Sequence, residues 1–181
     1  MNFLPENYKN PNEASQYTKL KDGENKIRIL GSAVTGWEDW DDERKAYRFK
    51  MENKPAQSKS SKEGARIKHF WSFPIWNYQE EIVQICTLTQ ASIQKGITAI
   101  VKNPKWGDPK EYDIVICRTG KDLDTEYTVT PDPKEKIDPE IQKVYSKLTI
   151  NLEALYDGGD PFTSQVAGTE AIDPDSIPED L

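Results

Sequence analysis

Residues 67–88 read IKHFWSFPIWNYQEEIVQICTL, and this stretch decides the fold class. Its first half is rich in aromatic residues, its second half is a short β-branched run, and a polar turn at Gln79-Glu80 separates them. Two apolar runs joined by a short polar turn are typical of a β-hairpin. The sequence therefore predicts a β-rich domain built around this hairpin.

Two alternating segments precede the hairpin. Residues 26–40 start as an alternating run and continue past Gly31 and Gly36, which predicts one long first strand with a break, as a barrel corner needs. After an acidic turn, residues 44–51 alternate again, so basic and aromatic side chains are expected on opposite sides of that strand.

The period changes after the hairpin. Ile93, Ile97 and Ile100 recur at helical spacing, which predicts a helix that begins near Thr89 and ends at Asn103-Pro104. Residues 111–119 and 124–130 then predict two more strands.

The resulting fold prediction is mainly β with helices. Five short strands with one helix between the third and the fourth follow the order of the OB fold, a small β-barrel. A second helix is expected from Asp138-Pro139 towards Tyr156, with an interruption at residues 149–151. We expect a polar N-terminal arm at residues 1–20, the OB domain at residues 21–157 and a disordered acidic tail at residues 158–181.

The formal net charge of −7 argues against a nucleic-acid partner until its distribution is considered. No basic residue follows Lys147, whereas eight acidic residues do, and the chain before them holds 23 acidic and 24 basic side chains. Residues 44–69 contain nine basic residues against only Glu52 and Glu63. The sequence therefore describes a locally basic body that carries an acidic tail.

Basic and aromatic residues alternate between Trp37 and Tyr78, which is the strongest functional signal. Single-stranded DNA requires cations for its phosphates and flat rings for its unstacked bases, and stacking tolerates any base sequence. Not all of these rings can meet bases, because neighbours on a strand point to opposite faces; Phe49 and Phe73 are expected in the core, and Trp71 fits either place. The predicted DNA-binding residues are Trp37, Trp40, Arg44, Tyr47, Arg48, Lys50, Lys54, Lys59, Lys62, Arg66, Lys68, Phe70, Trp71, Trp76, Trp106 and Arg118.

Two low-complexity segments have two interpretations each. Residues 52–65 are either a solvated linker or a basic flap that orders when a strand binds. The acidic tail is either a solubilising appendage or a competitor of phosphate that recruits replication or recombination proteins. Its candidate residues are Asp173, Asp175, Glu179 and Asp180.

The chain also combines the motifs KHFW at 68–71, NY at 77–78, LTQ at 88–90, NPKWGDP at 103–109, YDI at 112–114 and TEY at 125–127. In this combination, over about residues 3–162, it resembles bacteriophage single-stranded DNA-binding proteins. The resemblance implies an OB fold, sequence-independent coating of single strands during phage replication and recombination, and a regulatory acidic C-terminus. Ile177-Pro178 is similar to the Ile-Pro-Phe ending of bacterial single-strand binders, but Glu179-Asp180-Leu181 follows here in place of Phe.

Enzyme classes are disfavoured. His69 is the sole histidine and has no nucleophile motif around it, no phosphate-binding glycine loop is present, and we expect no cofactor. Two Cys and one His do not supply a usual four-ligand zinc site, so no metal is expected. The alternatives left open are an OB-type protein–protein adaptor and a single-strand annealing protein.

The chain start lacks a basic and apolar leader, and no apolar stretch approaches the roughly 20 residues that span a bilayer. We therefore expect a cytoplasmic protein without a membrane segment. Cys86 and Cys117, in separate apolar runs, are expected to be reduced core thiols.

Overall fold

Seven strands with alternating apolar side chains form one antiparallel sheet. The structure is a computed structural model that describes residue 3 and residues 15–162. The strands are β1 (Gly23–Ile29), β2 (Val34–Trp40), β3 (Ala46–Lys50), β4 (Lys68–Asn77), β5 (Ile82–Leu88), β6 (Asp113–Thr119) and β7 (Glu126–Pro131). The α-helices are α1 (Ala91–Lys102) and α2 (Pro139–Ser146), and short 3-10 helices lie at Met51–Asn53, Pro109–Glu111, Asp122–Asp124 and Leu152–Asp157. The sheet order is β3-β2-β4-β1-β6-β7, with β5 on the second edge of β4.

Strand β4 pairs with three neighbours. One of its edges pairs first with β2, through residues 68–72, and then with β1, through residues 75–77, while its other edge pairs with β5. Pro74 lies where the partner changes, and its carbonyl oxygen accepts a hydrogen bond of 3.0 Å from the Leu30 N–H. Because proline has no N–H to donate, it is tolerated where the neighbouring strand is interrupted.

The core lies between the sheet and α1. Apolar side chains from β1, β4, β5 and β6 meet Ile93 and Ile97 of α1, and Tyr127 and Val129 of β7 pack against the same cluster. Gly96 of α1 makes this approach possible, because a Cβ there would lie 3.0 Å from the Val129 side chain. β5 and β7, which are not neighbours in the sheet, therefore contribute to one core.

The chain after β7 returns over the opposite face of the sheet. Asp138 caps α2 by accepting a 2.9 Å hydrogen bond from the Glu140 N–H. The Tyr156 hydroxyl donates to the Thr35 carbonyl at 2.7 Å, and the Asn151 N–H donates to the Pro161 carbonyl at 3.0 Å. Pro161 is fully buried and its neighbours Asp160 and Phe162 are half-buried, so residues 160–162, which the sequence assigns to the tail, are packed onto the domain.

The end of the predicted N-terminal arm is also paired. Tyr17 forms a parallel bridge with Ile85, the Thr18 N–H donates to the Ile85 carbonyl at 3.0 Å, and the Ile85 N–H donates to the Gln16 carbonyl at 2.9 Å. Residues 16–18 therefore occupy the free edge of β5. The N–H and the C=O of Ile85 both form hydrogen bonds with this segment, so neither bonds to Pro74, the residue opposite Ile85 on β4.

The mainly β prediction with helices is confirmed, and the strand count differs from it. The predicted first strand is divided into β1 and β2 by residues 30–33, and the predicted strand at residues 44–51 is β3. The six strand segments of the sequence thus become seven strands, against the five that the OB order counts. The first helix is capped at Gln90 rather than Thr89 and ends at Asn103 as expected. The second α-helix stops at Ser146, and the expected interruption precedes a 3-10 helix.

Both cysteines are free thiols. Cys86 is buried, and burial raises its pKa to about 12, whereas Cys117 is half-buried. No helix in the described part of the chain is long and apolar enough to span a bilayer.

A buried ion pair joins β1 to β6, and its arginine also bonds to two segments outside the sheet. Arg28, 2% exposed, donates through Nε to Asp113 Oδ1 at 2.6 Å. Its Nη1 and Nη2 donate to the carbonyls of Lys110 and Glu135 at 3.0 Å each. The Tyr78 hydroxyl also donates to Asp113 at 2.7 Å, and burial together with this bond raises the pKa of Tyr78 to about 12.

We expect the Arg28→Met variant to lose about 3–5 kcal/mol of unfolding free energy, because Asp113 would remain as a buried carboxylate without its main partner. Urea unfolding followed by circular dichroism measures this loss. The control is Lys21→Met, which removes an exposed Lys21–Glu80 pair and is expected to cost at most about 1 kcal/mol. Equal losses in the two variants would contradict the assigned role of Arg28.

Candidate nucleic-acid interface

The β2–β3 hairpin and the first half of β4 form an extension with two different faces. Cross-strand partners share a face and successive residues alternate. The first face, here called the aromatic face, consists of Trp37, Tyr47, Phe49, His69 and Trp71. The second, here called the outer face, consists of Gly36, Glu38, Trp40, Arg48, Lys50, Lys68 and Phe70.

Hydrogen bonds orient the rings of the aromatic face. His69 Nδ1 lies 2.8 Å from the Gly36 carbonyl oxygen, and Trp71 Nε1 donates to His69 Nε2 at 3.1 Å. Since a carbonyl only accepts and an indole N–H only donates, Nδ1 of His69 donates to Gly36 and Nε2 accepts from Trp71 in this network. Trp37 packs against the other side, with ring centroids 5.5 Å apart. The three rings therefore form one continuous surface across β2 and β4.

Lysine ammonium groups lie over two half-buried rings of this face. Lys54 Nζ is 4.1 Å from the Trp37 ring centroid, and Lys59 Nζ and Lys45 Nζ are 4.7 Å and 5.2 Å from the Tyr47 centroid. All three distances fall within the roughly 6 Å range of cation–π attraction. The aromatic face thus combines flat rings with positive charge.

Two aspartates hold the loop that supplies two of these lysines. Asp39, 1% exposed, accepts hydrogen bonds from Ser58 Oγ at 2.5 Å and from the Lys59 N–H at 2.7 Å. Asp42 accepts from Ser60 Oγ at 2.8 Å, from the Ser61 N–H at 2.9 Å and from the Ser61 hydroxyl. The Ser61 and Ser60 hydroxyl groups lower the pKa of Asp42. The predicted flexible segment 52–65 is therefore attached to the acidic turn.

The outer face is occupied by protein. Phe70 is 0% exposed, because Arg48 lies 5.8 Å above its ring and Tyr156 packs at 6.2 Å. Phe70 was predicted to bind DNA, but its ring has no accessible surface for a base. The physical reason is alternation: Phe70 points away from His69 and Trp71, towards residues 152–157.

Charges on the outer face are largely matched. Arg48 Nε donates to buried Glu38 at 3.0 Å, and Glu38 also accepts from Trp40 Nε1 at 2.8 Å. Lys50 Nζ lies 3.8 Å from Glu153 and 5.6 Å from the Tyr156 ring. These predicted cations are therefore already engaged within the domain.

The other predicted site residues are spread over the domain. Arg44 is exposed at the β2–β3 turn, Lys62 and Arg66 are exposed in the loop, and Lys68 is exposed on the outer face. Trp76 is half-buried on the outer side of β4, and Trp106 packs edge-on against Tyr112 at 5.6 Å. Arg118 pairs with Gly23, at the end of β1 that is farther from the aromatic face. The tail candidates Asp173, Asp175, Glu179 and Asp180 lie outside the described residues.

The structure therefore brings together Trp37, Tyr47, Trp71, Lys54 and Lys59 from the predicted set. It adds His69 and Lys45, which the sequence list omits. Alternation alone could have included His69, because it lies two residues before Trp71 on the same strand. Lys45 lies two residues before Tyr47, so the alternation predicted over residues 44–51 could have included it as well.

The attachment of the basic loop is expected to weaken in acid. Because the folded-state pKa of Asp42 is lowered, its contribution is present above its ordinary pKa of about 3.9 and is lost as pH falls through the lowered value. We expect the exchange protection factor of the Ser61 amide to fall in that range, and to be low already at pH 7 in Asp42→Asn. Asp122→Asn, an exposed aspartate in another turn, is the control. Unchanged Ser61 protection in Asp42→Asn would contradict the assignment.

Comparison with known proteins gives no match to a protein-family model, to a curated protein or to a solved structure. Function is therefore inferred from the arrangement of side chains on the aromatic face.

Proposed function

We propose that the chain is a non-catalytic, sequence-independent single-stranded DNA-binding protein built on an OB barrel. The observation that carries this proposal is the aromatic face, where Trp37, His69 and Trp71 form one surface and Lys54 lies 4.1 Å above it. The family resemblance of the motifs points to the same class, with a role in coating single strands during phage replication and recombination.

The strand connections support an OB barrel. If β1 and β2 are taken as one bent strand, the sheet order becomes β5-β4-β1/β2-β6-β7, and α1 lies between β5 and β6. This is the connectivity of a five-stranded OB fold, with β3 as an additional hairpin strand. β5 and β7 pack against one core, although the described residues contain no ladder between them. OB barrels are often partly open, and residues 16–18 occupy the β5 edge here.

The chemistry of the aromatic face suits a flexible polyanion with exposed bases. Each base that stacks on an aromatic side chain contributes about 1–3 kcal/mol, and every base has a π-face to offer. Lys45, Lys54 and Lys59 are exposed and flank the rings, where they can contact phosphates on either side of a stacked base. A duplex keeps its bases stacked internally, so it would leave these rings unused.

The acidic segment after residue 162 supplies a competitor for this site. It contains Glu170 and the four tail candidates and has no Lys or Arg. Carboxylates attract the same ammonium groups as phosphates do, and this attraction weakens as salt screens it. We propose that the tail lowers the affinity of the aromatic face for weakly bound ligands. When DNA displaces the tail, the tail becomes available to replication or recombination proteins.

Oligo-dT is expected to quench tryptophan fluorescence of the intact chain, with affinity that falls with salt at a slope of about −0.7 per phosphate contacted. Trp37→Ala should weaken binding by about tenfold, because one stacking platform is lost. The control is Trp40→Ala, which removes a 48% exposed tryptophan from the outer face and should leave affinity nearly unchanged. Absence of quenching and of a gel shift at low salt would overturn the proposal and favour a protein–protein adaptor.

Removal of the residues after 162 is expected to raise affinity for oligo-dT, most strongly at low ionic strength, because a tethered competitor is lost. Fluorescence titrations at several salt concentrations measure the effect. A full-length variant with Asp173, Asp175, Glu179 and Asp180 changed to their amides is the matched control and should behave like the shortened chain. If all three chains bind equally, the acidic segment does not compete.

A further inference from the structure

A cavity of about 470 Å³ opens beside the aromatic face, between the link from β1 to β2 and the C-terminal half of α1. Trp71 and Phe73 of β4 form one wall, and Ile97 and Val101 of α1 form another. The volume lies within the range of about 300–1,000 Å³ that is typical of small-molecule sites. The cavity is therefore large enough for a flat heteroaromatic group.

The walls of the cavity are mainly apolar and its rim is partly basic. The polar groups at its edge include the Ser32 and Thr98 side chains, together with Lys102 and Lys110. Lys102 is exposed in the last turn of α1, and Lys110 Nζ lies 3.7 Å from Asp108 Oδ2. An apolar cavity with cations at its rim fits a ligand with a flat uncharged part and adjacent negative charges.

The cavity is continuous with the aromatic face. Trp71 belongs to both: its side chain lines the cavity, and its Nε1 donates to His69 at 3.1 Å. Thr35 of β2, on the same side of the sheet as Trp37, also lines the cavity. A strand lying across Trp37 and Trp71 would therefore reach the cavity mouth without leaving the protein surface.

We infer that this cavity receives a single nucleobase, turned out of the bound strand and held against Trp71, with Lys102 contacting a neighbouring phosphate. This inference rests on the proposed function. The apolar lining offers no set of directional donors and acceptors like those that read a base edge, so the cavity would accept different bases. The bound DNA strand is thereby held at one nucleotide, while its other bases stack on the rings of the aromatic face.

The test fills the cavity without removing any stacking platform. Val101→Phe adds a ring from the α1 wall and Ser32→Phe adds one from the opposite wall, and each should weaken binding to oligo-dT by about tenfold. The matched control is Ala99→Phe, an exposed position on the same helix that does not line this cavity. Thermal unfolding verifies that each variant is folded.

A second readout uses oligo-dT of the shortest length that retains full affinity, with one abasic nucleotide moved along it. In the unchanged protein, one abasic position should cost about tenfold through the empty cavity. Val101→Phe should abolish the loss of affinity only at the abasic position that leaves the cavity empty. Trp37→Ala should abolish the loss of affinity at a different abasic position, where the missing base would have stacked on Trp37.

The outcomes separate this inference from the proposed function. If the unchanged protein binds oligo-dT and Trp37→Ala weakens binding, but both cavity-filling variants bind like Ala99→Phe, the cavity assignment is overturned and the proposed function stands. An even abasic penalty at every position in the unchanged protein also overturns it. If the unchanged protein does not bind oligo-dT at all, both proposals fail.

Discussion

The pairing of β4 with three strands is the constraint on which the rest of the structure depends. At Pro74 the partner on one edge changes from β2 to β1, and the Leu30–Pro74 hydrogen bond closes the junction. The second half of β4 therefore belongs to the sheet over the main core, while its first half continues into the β2–β3 extension. Because alternation is continuous along β4, Trp71 lies on the same side as Phe73 and Ile75, and the aromatic face is an extension of the core side of the sheet.

Strand and helix types followed from periodicity, whereas the roles of individual rings did not. The break near Gly31 and the helix end at Asn103 were both predicted from the sequence, since the freedom of glycine and the fixed φ of proline both interrupt regular structure. Alternation also separated Arg48 and Lys50 from Tyr47 and Phe49. What alternation does not report is which face the rest of the chain covers. Phe70 is buried because residues 152–157 return to it, a contact across more than eighty positions.

The candidate site depends on acidic residues as much as on basic ones. Asp39 and Asp42 hold residues 58–61 beside the hairpin, so Lys59 lies close to Tyr47. The sequence alone indicates only an acidic turn at these positions. Their hydrogen bonds to serine hydroxyl and backbone N–H groups have no sequence signature, because the partners lie about twenty residues away in a segment without periodicity.

The position of Lys54 above Trp37 has a further consequence for the protein in the absence of a ligand. A contiguous exposed patch of tryptophan and tyrosine rings promotes self-association. Here, ammonium groups cover Trp37 and Tyr47 with hydrated charge, at an interaction energy of only about 0.5–1 kcal/mol each at exposed sites. Such covers are weak enough for a base to displace, and they disfavour contact with a second copy of the same patch, since like charges would meet. The lysines thus disfavour self-association through this patch.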